Sequence, residues 1–127
     1  MALENKPVPT QYKYTYADIE KIYKAHYLIG HYVEEKDILA KKLKESCIKA
    51  DKFREGFRLL YGLLPSQYLL EKRLEKADWI IRGRRSSHLD DIAEMCGFKT
   101  AKQLSKDYYS RYVIKITDAI AAARNSH

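Results

Sequence analysis

The sequence predicts an all-α protein: two helix-turn-helix units joined by a long central helix, about seven helices in all. Three observations lead there. From Asp18 onward apolar residues recur at three- and four-residue spacing, the period of a helix with one buried face. Gly62, Pro65, Gly83 and Gly97 stand between these periodic segments, where they stop one helix or open the next. One pattern also occurs twice. KFREGFRLLYG, from Lys52, and QLSKDYYSRY, from Gln103, each place an apolar residue four positions before an aromatic, and each follows a short helix and a turn. With 127 residues the chain makes one domain, or two very small ones sharing a long element.

The elements follow in order. Pro7 and Pro9 bar regular pairing, so residues 1–17 read as a flexible arm. In its YKYTY stretch Tyr12, Tyr14 and Tyr16 alternate like an extended strand laid against the helical body. Ile19, Ile22, Tyr23, His26 and Ile29 then share one face of a helix running to about Val33. A short helix is expected over Asp37 to Glu45, carrying Ile38, Leu39 and Leu43. A third runs from Ala50 to Tyr61 with Phe53, Phe57, Leu60 and Tyr61 inward, and Gly62 stops it. These segments make a first unit over residues 18–63.

Pro65 opens the connecting helix of residues 64–83, at the position where its missing N–H costs nothing. Tyr68, Leu69, Leu74, Ala77, Ile80 and Ile81 form its stripe, Asp78 and Arg82 make an i,i+4 pair, and Trp79 is expected in the core. The second unit spans residues 84–127. Ser87 with Asp90 predicts a capping box and a helix from His88 to Cys96; Thr100 with Gln103 predicts another, opening a helix to about Tyr112. Thr117 is expected to cap a last helix over Asp118 to Arg124.

Charge narrows the partners. A formal net charge of +7 on so short a chain favours an acidic partner, nucleic acid or an anionic surface. No run approaches the ~20 apolar residues of a membrane span. MALENKPVPTQ lacks the apolar core of a signal peptide, which points to a cytoplasmic protein. Cys47 and Cys96 are read as buried, reduced thiols. His26 and His31 do not share a helical face, and His88 and His127 have no Cys or carboxylate at ligand spacing, so no metal site is expected. No phosphate loop, zinc-protease pair or nucleophile elbow occurs; the sequence is read as a non-enzyme without cofactor or small-molecule substrate.

The stretch IAEMCGFKTAKQLSK carries the sharpest signal. A helix-turn-helix needs a small residue where its helices cross (Ala93), a residue at ease with positive φ in the turn (Gly97), and an apolar plug (Phe98 with Leu104). The second helix then enters a DNA major groove with its N-terminal residues nearest the base edges. Thr100, Ala101, Lys102, Gln103 and Lys106 are the expected contacts there. Thr100 and Ala101 offer backbone N–H groups to a phosphate. Gln103 is alternatively the capping partner of Thr100. In the first unit Ala50, Lys52, Arg54 and Arg58 are the candidates, with Asp51 and Glu55 on or near the same face as opposing charges. Arg82, Arg84 and Arg85 read as phosphate neighbours or solvated charges.

RLEKADWIIRG, followed by DDIAEMCGFKTAKQLSKDYYSRY, resembles the DNA-binding domain of AraC/XylS-type bacterial transcription regulators. Ile92, Ala93, Gly97, Phe98, Leu104, Ser105, Lys106 and Tyr108 fall in register with that family's second unit, and the resemblance covers roughly residues 18 to 122. It implies a bacterial, sequence-specific regulator that binds double-stranded DNA. The further partners it implies are RNA polymerase or an effector-sensing chain. Family members often carry an effector or dimerisation domain on the N-terminal side; none is expected here, which puts sensing on another chain, outside this stretch, or nowhere. The first unit departs from the family. An ungapped register puts Cys47 at the turn glycine, Leu43 at the small residue and Lys42 at a buried aliphatic. A gapped one pairs Leu39-Ala40 with the family's Leu-Ala. Val113 replaces the usual glycine after the last recognition helix. The rival function is a helical protein-interaction module that keeps the fold and has lost specific DNA binding.

Overall fold

The computed structural model describes residues 11–126, which form seven α-helices and no strand. They are α1 (Tyr16–His31), α2 (Ile38–Ser46), α3 (Ala50–Tyr61), α4 (Pro65–Arg82), α5 (Leu89–Cys96), α6 (Ala101–Tyr112) and α7 (Ile116–Arg124). α1 packs on α2, α3 and α4, while α4 continues past them to pack on α5, α6 and α7. Two cores result. Ile22, Ala25, Ile29, Val33, Ile38, Ile48, Phe53, Phe57 and Leu69 fill the first; Ile92, Ala93, Cys96, Phe98, Leu104, Tyr108, Ile116 and Ile120 fill the second. α4 serves both by giving Leu69 to the first and Leu74, Ala77, Ile80 and Ile81 to the second. No helix among the described residues is long and apolar enough to cross a membrane.

Several element ends differ from expectation, each for a local reason. The first ten residues of the expected arm lie outside the described residues, as does His127. α1 starts at Tyr16 rather than Asp18 because Thr15 and Asp18 form a capping box: Thr15 Oγ1 accepts from Asp18 N at 3.1 Å and Asp18 Oδ2 accepts from Thr15 N at 3.0 Å. Tyr16 therefore belongs to the helix and is exposed, while Tyr14 lies on α3 and donates its hydroxyl to Lys52 O at 3.0 Å. α5 starts at Leu89; Ser86 Oγ, not Ser87, accepts from His88 N at 3.2 Å, and no side chain caps the helix. α7 begins at Ile116 with Lys115 at its cap, which puts Thr117 inside the first turn. That register buries Ile116 and Ile120 together.

Trp79 is not in the core. It is 55% exposed because the stripe of Ala77, Ile80 and Ile81 turns the opposite face of α4 inward. Arg85 covers it, its guanidinium carbon 3.6 Å from the ring centroid and its Nη1 donating to Trp79 O at 3.0 Å. Leu60 is likewise exposed, since Phe53 and Phe57 already define the buried side of α3. Cys47 is exposed at the end of α2, whereas Cys96 is buried and its thiol is pushed up to about 11 by burial. At the end of α4, Gly83 keeps a right-handed conformation and Arg84 takes the positive φ.

Candidate nucleic-acid interface

The second helix-turn-helix is built as its sequence demands. α5 buries Ile92, Ala93 and Cys96, Gly97 turns the chain with φ +85°, and Phe98 plugs the corner. Thr100 caps α6 by accepting from Gln103 N at 3.0 Å. The other half of the expected box does not form, because the Gln103 side chain donates forward to Asp107 at 3.0 Å. Leu104 and Tyr108 anchor α6 to α4. The Tyr108 hydroxyl donates to Asp78 Oδ1 at 3.1 Å, and burial beside that carboxylate pushes it up to about 12. Asp78 also pairs with Arg82 at 2.7 Å, the expected i,i+4 partner.

The anchors fix which face of α6 stays outside. Thr100, Lys102, Gln103 and Lys106 are exposed and Ala101 is half-buried. Lys99, Lys102 and Lys106 take part in none of the ion pairs among the described residues. Arg111 is different: Glu71 on α4 holds it with contacts of 2.9 and 3.0 Å, so its charge is neutralised locally. Tyr109, absent from the sequence candidates, is exposed and completes a Lys102, Lys106, Tyr109 stripe at helical spacing. That spacing was visible in the sequence, but tyrosines on a helix are more often read as core.

In the first unit the turn falls at Cys47, where the ungapped register expects it, and is one residue shorter than in the second: Ile48 and Lys49 lie between Cys47 and α3, whereas Phe98, Lys99 and Thr100 lie between Gly97 and α6. Cys47 occupies the place of Gly97 and takes the same left-handed conformation, φ +58°. Ile48 stands where Phe98 does, and both are buried. Ser46, in the place of Cys96, braces this turn: its hydroxyl donates to Leu43 O at 2.6 Å and accepts from Ile48 N at 3.1 Å. Lys42 takes the aliphatic position, mostly buried along its stem, with its ammonium 3.0 Å from Glu45.

Aligning α3 and α6 on their anchors exposes a reversal of charge. Lys102 and Lys106 each stand two residues before Leu104 and Tyr108; Asp51 and Glu55 each stand two residues before Phe53 and Phe57. α3 thus offers carboxylates where α6 offers ammonium groups. Its arginines partly cancel them: Arg54 pairs with Asp51 and Arg58 with Glu55. Lys52 turns the other way, 3.0 Å from Asp18 of α1 and over the Tyr14 ring. Ala50 is half-buried at the start of α3. Between the units lies a groove of about 540 Å³ lined by Lys36, Arg73, Lys99, Thr100 and Gln103.

A short helix, a turn and a second helix at each end of a shared connecting helix (α2–α3 and α5–α6) define a double helix-turn-helix protein, and the fold is that of AraC-type DNA-binding domains. The chain superposes on the DNA-binding domain of AdpA, a global transcriptional factor solved in complex with a target DNA, with a TM-score of 0.75 and 19% identity. That match covers 82% of this chain and 93% of the other. An AraC-type regulator from Chromobacterium violaceum matches with a TM-score of 0.67 and 21% identity, over 85% and 96% of the two chains. In sequence the chain is similar to a probable transcriptional regulator, LumQ of Photobacterium leiognathi, 32% identical over 89 residues. That stretch is 67% of this chain and 36% of the relative, so the chain spans about a third of that protein's length. No family model matches the sequence.

Proposed function

We propose that the chain is a double-stranded DNA-binding transcription regulator of AraC type, acting in the bacterial cytoplasm and lacking enzymatic activity. It works through two units, residues 18–63 and 84–127, on a connecting helix of residues 64–83. The observation that carries the reading is α6: a capped helix, propped by α5, whose outer face presents Lys102 and Lys106 without acidic partners among the described residues. Unpaired ammonium groups at the leading end of a recognition helix suit base edges and flanking phosphates. Thr100, Ala101, Lys102, Gln103 and Lys106 are assigned to the DNA contact, with Tyr109 beside them. Lys99 belongs with them as a phosphate neighbour.

In the first unit Ala50, Arg54 and Arg58 remain candidates, while Lys52, held by Asp18, supports α3 rather than meeting DNA. The descriptions of similar proteins as regulators, one of them solved on its target DNA, support the DNA-binding reading. Sequence-specific recognition, and any engagement of RNA polymerase or an effector-sensing chain, belong to the same proposal.

The acidic positions on α3 favour one rival, a protein-interaction module that no longer binds DNA specifically. Selection of bound sites from a random duplex pool, followed by titration of the winner at several salt concentrations, separates the two. A regulator enriches one motif, and its affinity falls steeply with salt, about 0.9 in log–log slope per phosphate neutralised. A pool without enrichment and a flat salt response would leave the interaction module.

A further inference from the structure

The two units touch through more than the connecting helix. Arg73, half-buried midway along α4, directs its guanidinium at the loop between α1 and α2. Nε donates to Val33 O and Nη2 to Glu35 O, each at 2.9 Å. Val33 packs in the first core, so these bonds fasten the loop of the first unit to the shared helix. The turn of the second unit presses on the same spot. A Cβ on Gly97 would stand 2.2 Å from Val33 O and 2.9 Å from Arg73 Nε. One carbonyl is therefore approached from α4 and from the α5–α6 turn at once. Two peripheral ion pairs, Lys36–Glu94 at 3.0 Å and Lys76–Glu34 at 3.8 Å, bridge the same seam.

The location matters mechanically. A single helix fixes the distance between two bodies along its axis but lets their relative orientation change as it bends and twists. A contact off the axis removes that freedom. The flanking pairs are exposed and weak. A guanidinium fork spanning two backbone carbonyls is directional and always charged, and its geometry cannot be met after a roll of either unit.

We propose that Arg73 is a positioning residue: with the Val33–Glu35 loop and the Gly97 turn it clamps the two recognition helices at one separation and roll. The protein consequently accepts one spacing between its two half-sites. The second statement rests on the DNA-binding reading above; the first does not.

The test uses the whole chain carrying Arg73→Met, with Arg73→Lys as a milder variant whose point donor reaches only one of the two carbonyls. Spin labels on the exposed Cys47 and on Ser110→Cys report the distance between units by double electron–electron resonance, with Cys96 buried and unlabelled. The expected result without DNA is a narrow distribution for the parent and a broadened one for Arg73→Met, with Arg73→Lys between. On duplexes selected by the parent, one inserted base pair moves a half-site by about 3.4 Å and roughly 34° around the axis. It should weaken the parent about tenfold or more and the folded Arg73→Met chain much less. A loss of stability alone would not relax spacing. Unchanged distance distributions in both variants overturn the clamp. If the parent binds no duplex specifically, the DNA reading falls and the distance measurement still decides the clamp.

Discussion

Gly97 and Gly62 provide an internal comparison, because both cap a helix with positive φ (+85° and +78°) and only one is crowded. Around Gly62 an added Cβ meets nothing within 4 Å. Gly62→Ala should cost only the left-handed conformation, about 1 kcal/mol. At Gly97 the same methyl collides with a backbone carbonyl 2.2 Å away, which must retreat and take its bond from Arg73 with it. A hydrogen bond to a charged donor contributes about 1.5–3 kcal/mol, so Gly97→Ala should cost about 3 kcal/mol in total. With an unfolding entropy of about 2.1 cal/mol/K per residue, 1 kcal/mol lowers the Tm by roughly 4 °C in a chain of this size. Calorimetry should then show a drop of about 4 °C for Gly62→Ala and about 12 °C for Gly97→Ala, with Gly97→Val lower still. Equal drops for the two alanine variants would mean that Val33 does not approach Gly97, and the seam between the units would have to be redrawn.

The other predictions concern strain, pH and charge. Val113, exposed at the end of α6 with φ +59°, is a β-branched residue in the left-handed region; Val113→Gly should raise stability by up to about 1 kcal/mol, and a lower Tm would deny the strain. His26 is stacked on Tyr61 (3.7 Å between ring centroids) and Tyr68 (4.3 Å), and burial, with Lys72 nearby, holds it below its ordinary 6.5. The unfolded chain binds more protons there, so stability should be full above pH 6.5, fall as pH drops through the interval to the folded value, and level off below it; His26→Gln should flatten that interval in a pH series of thermal melts. On duplex DNA, Lys106→Ala should weaken binding more than Arg54→Ala, and Lys102→Ala should change the selected motif most; the reverse order would make α3 the principal reader. Glu55→Gln should strengthen non-specific binding slightly, and an unchanged titration would place Glu55 away from the phosphates.

Helix number, the double unit and most core positions could be read from periodicity because an apolar stripe has one way to be buried. What the sequence hid were choices among local partners. Thr15-x-x-Asp18 is as good a capping box as Thr100-x-x-Gln103, yet the tyrosine alternation around it suggested a strand. Gln103 could turn back to the cap or forward to Asp107, and only the fold decides. Trp79 is expected inside from its helical spacing, although the stripe of Ala77, Ile80 and Ile81 beside it faces the other way. Arg111 is bound to Glu71, forty residues away, a pairing that no local spacing reveals. The Arg73 contact could not be read at all, since its acceptors are backbone carbonyls with no side-chain signature.

The register of the first unit carries the same lesson into function. Cys47 adopts the glycine conformation with Ser46 bracing the turn, so the departures from the family pattern are absorbed without loss of the frame. Internal substitutions therefore do not distinguish the two units; their outer faces do. If α6 enters a major groove and the seam at Arg73 is rigid, α3 is carried to the same side of the duplex whether or not its surface suits DNA. Asp51 and Glu55 then lie where Lys102 and Lys106 lie on α6. A carboxylate in that position repels phosphate and gains only by accepting from a cytosine amino group. On the DNA-binding reading, the base pairs beneath α3 must offer cytosine to those carboxylates, or the first unit contributes position without sequence. Which of the two holds depends on Arg54 and Arg58, because a carboxylate already paired with its own arginine has less left to offer a base.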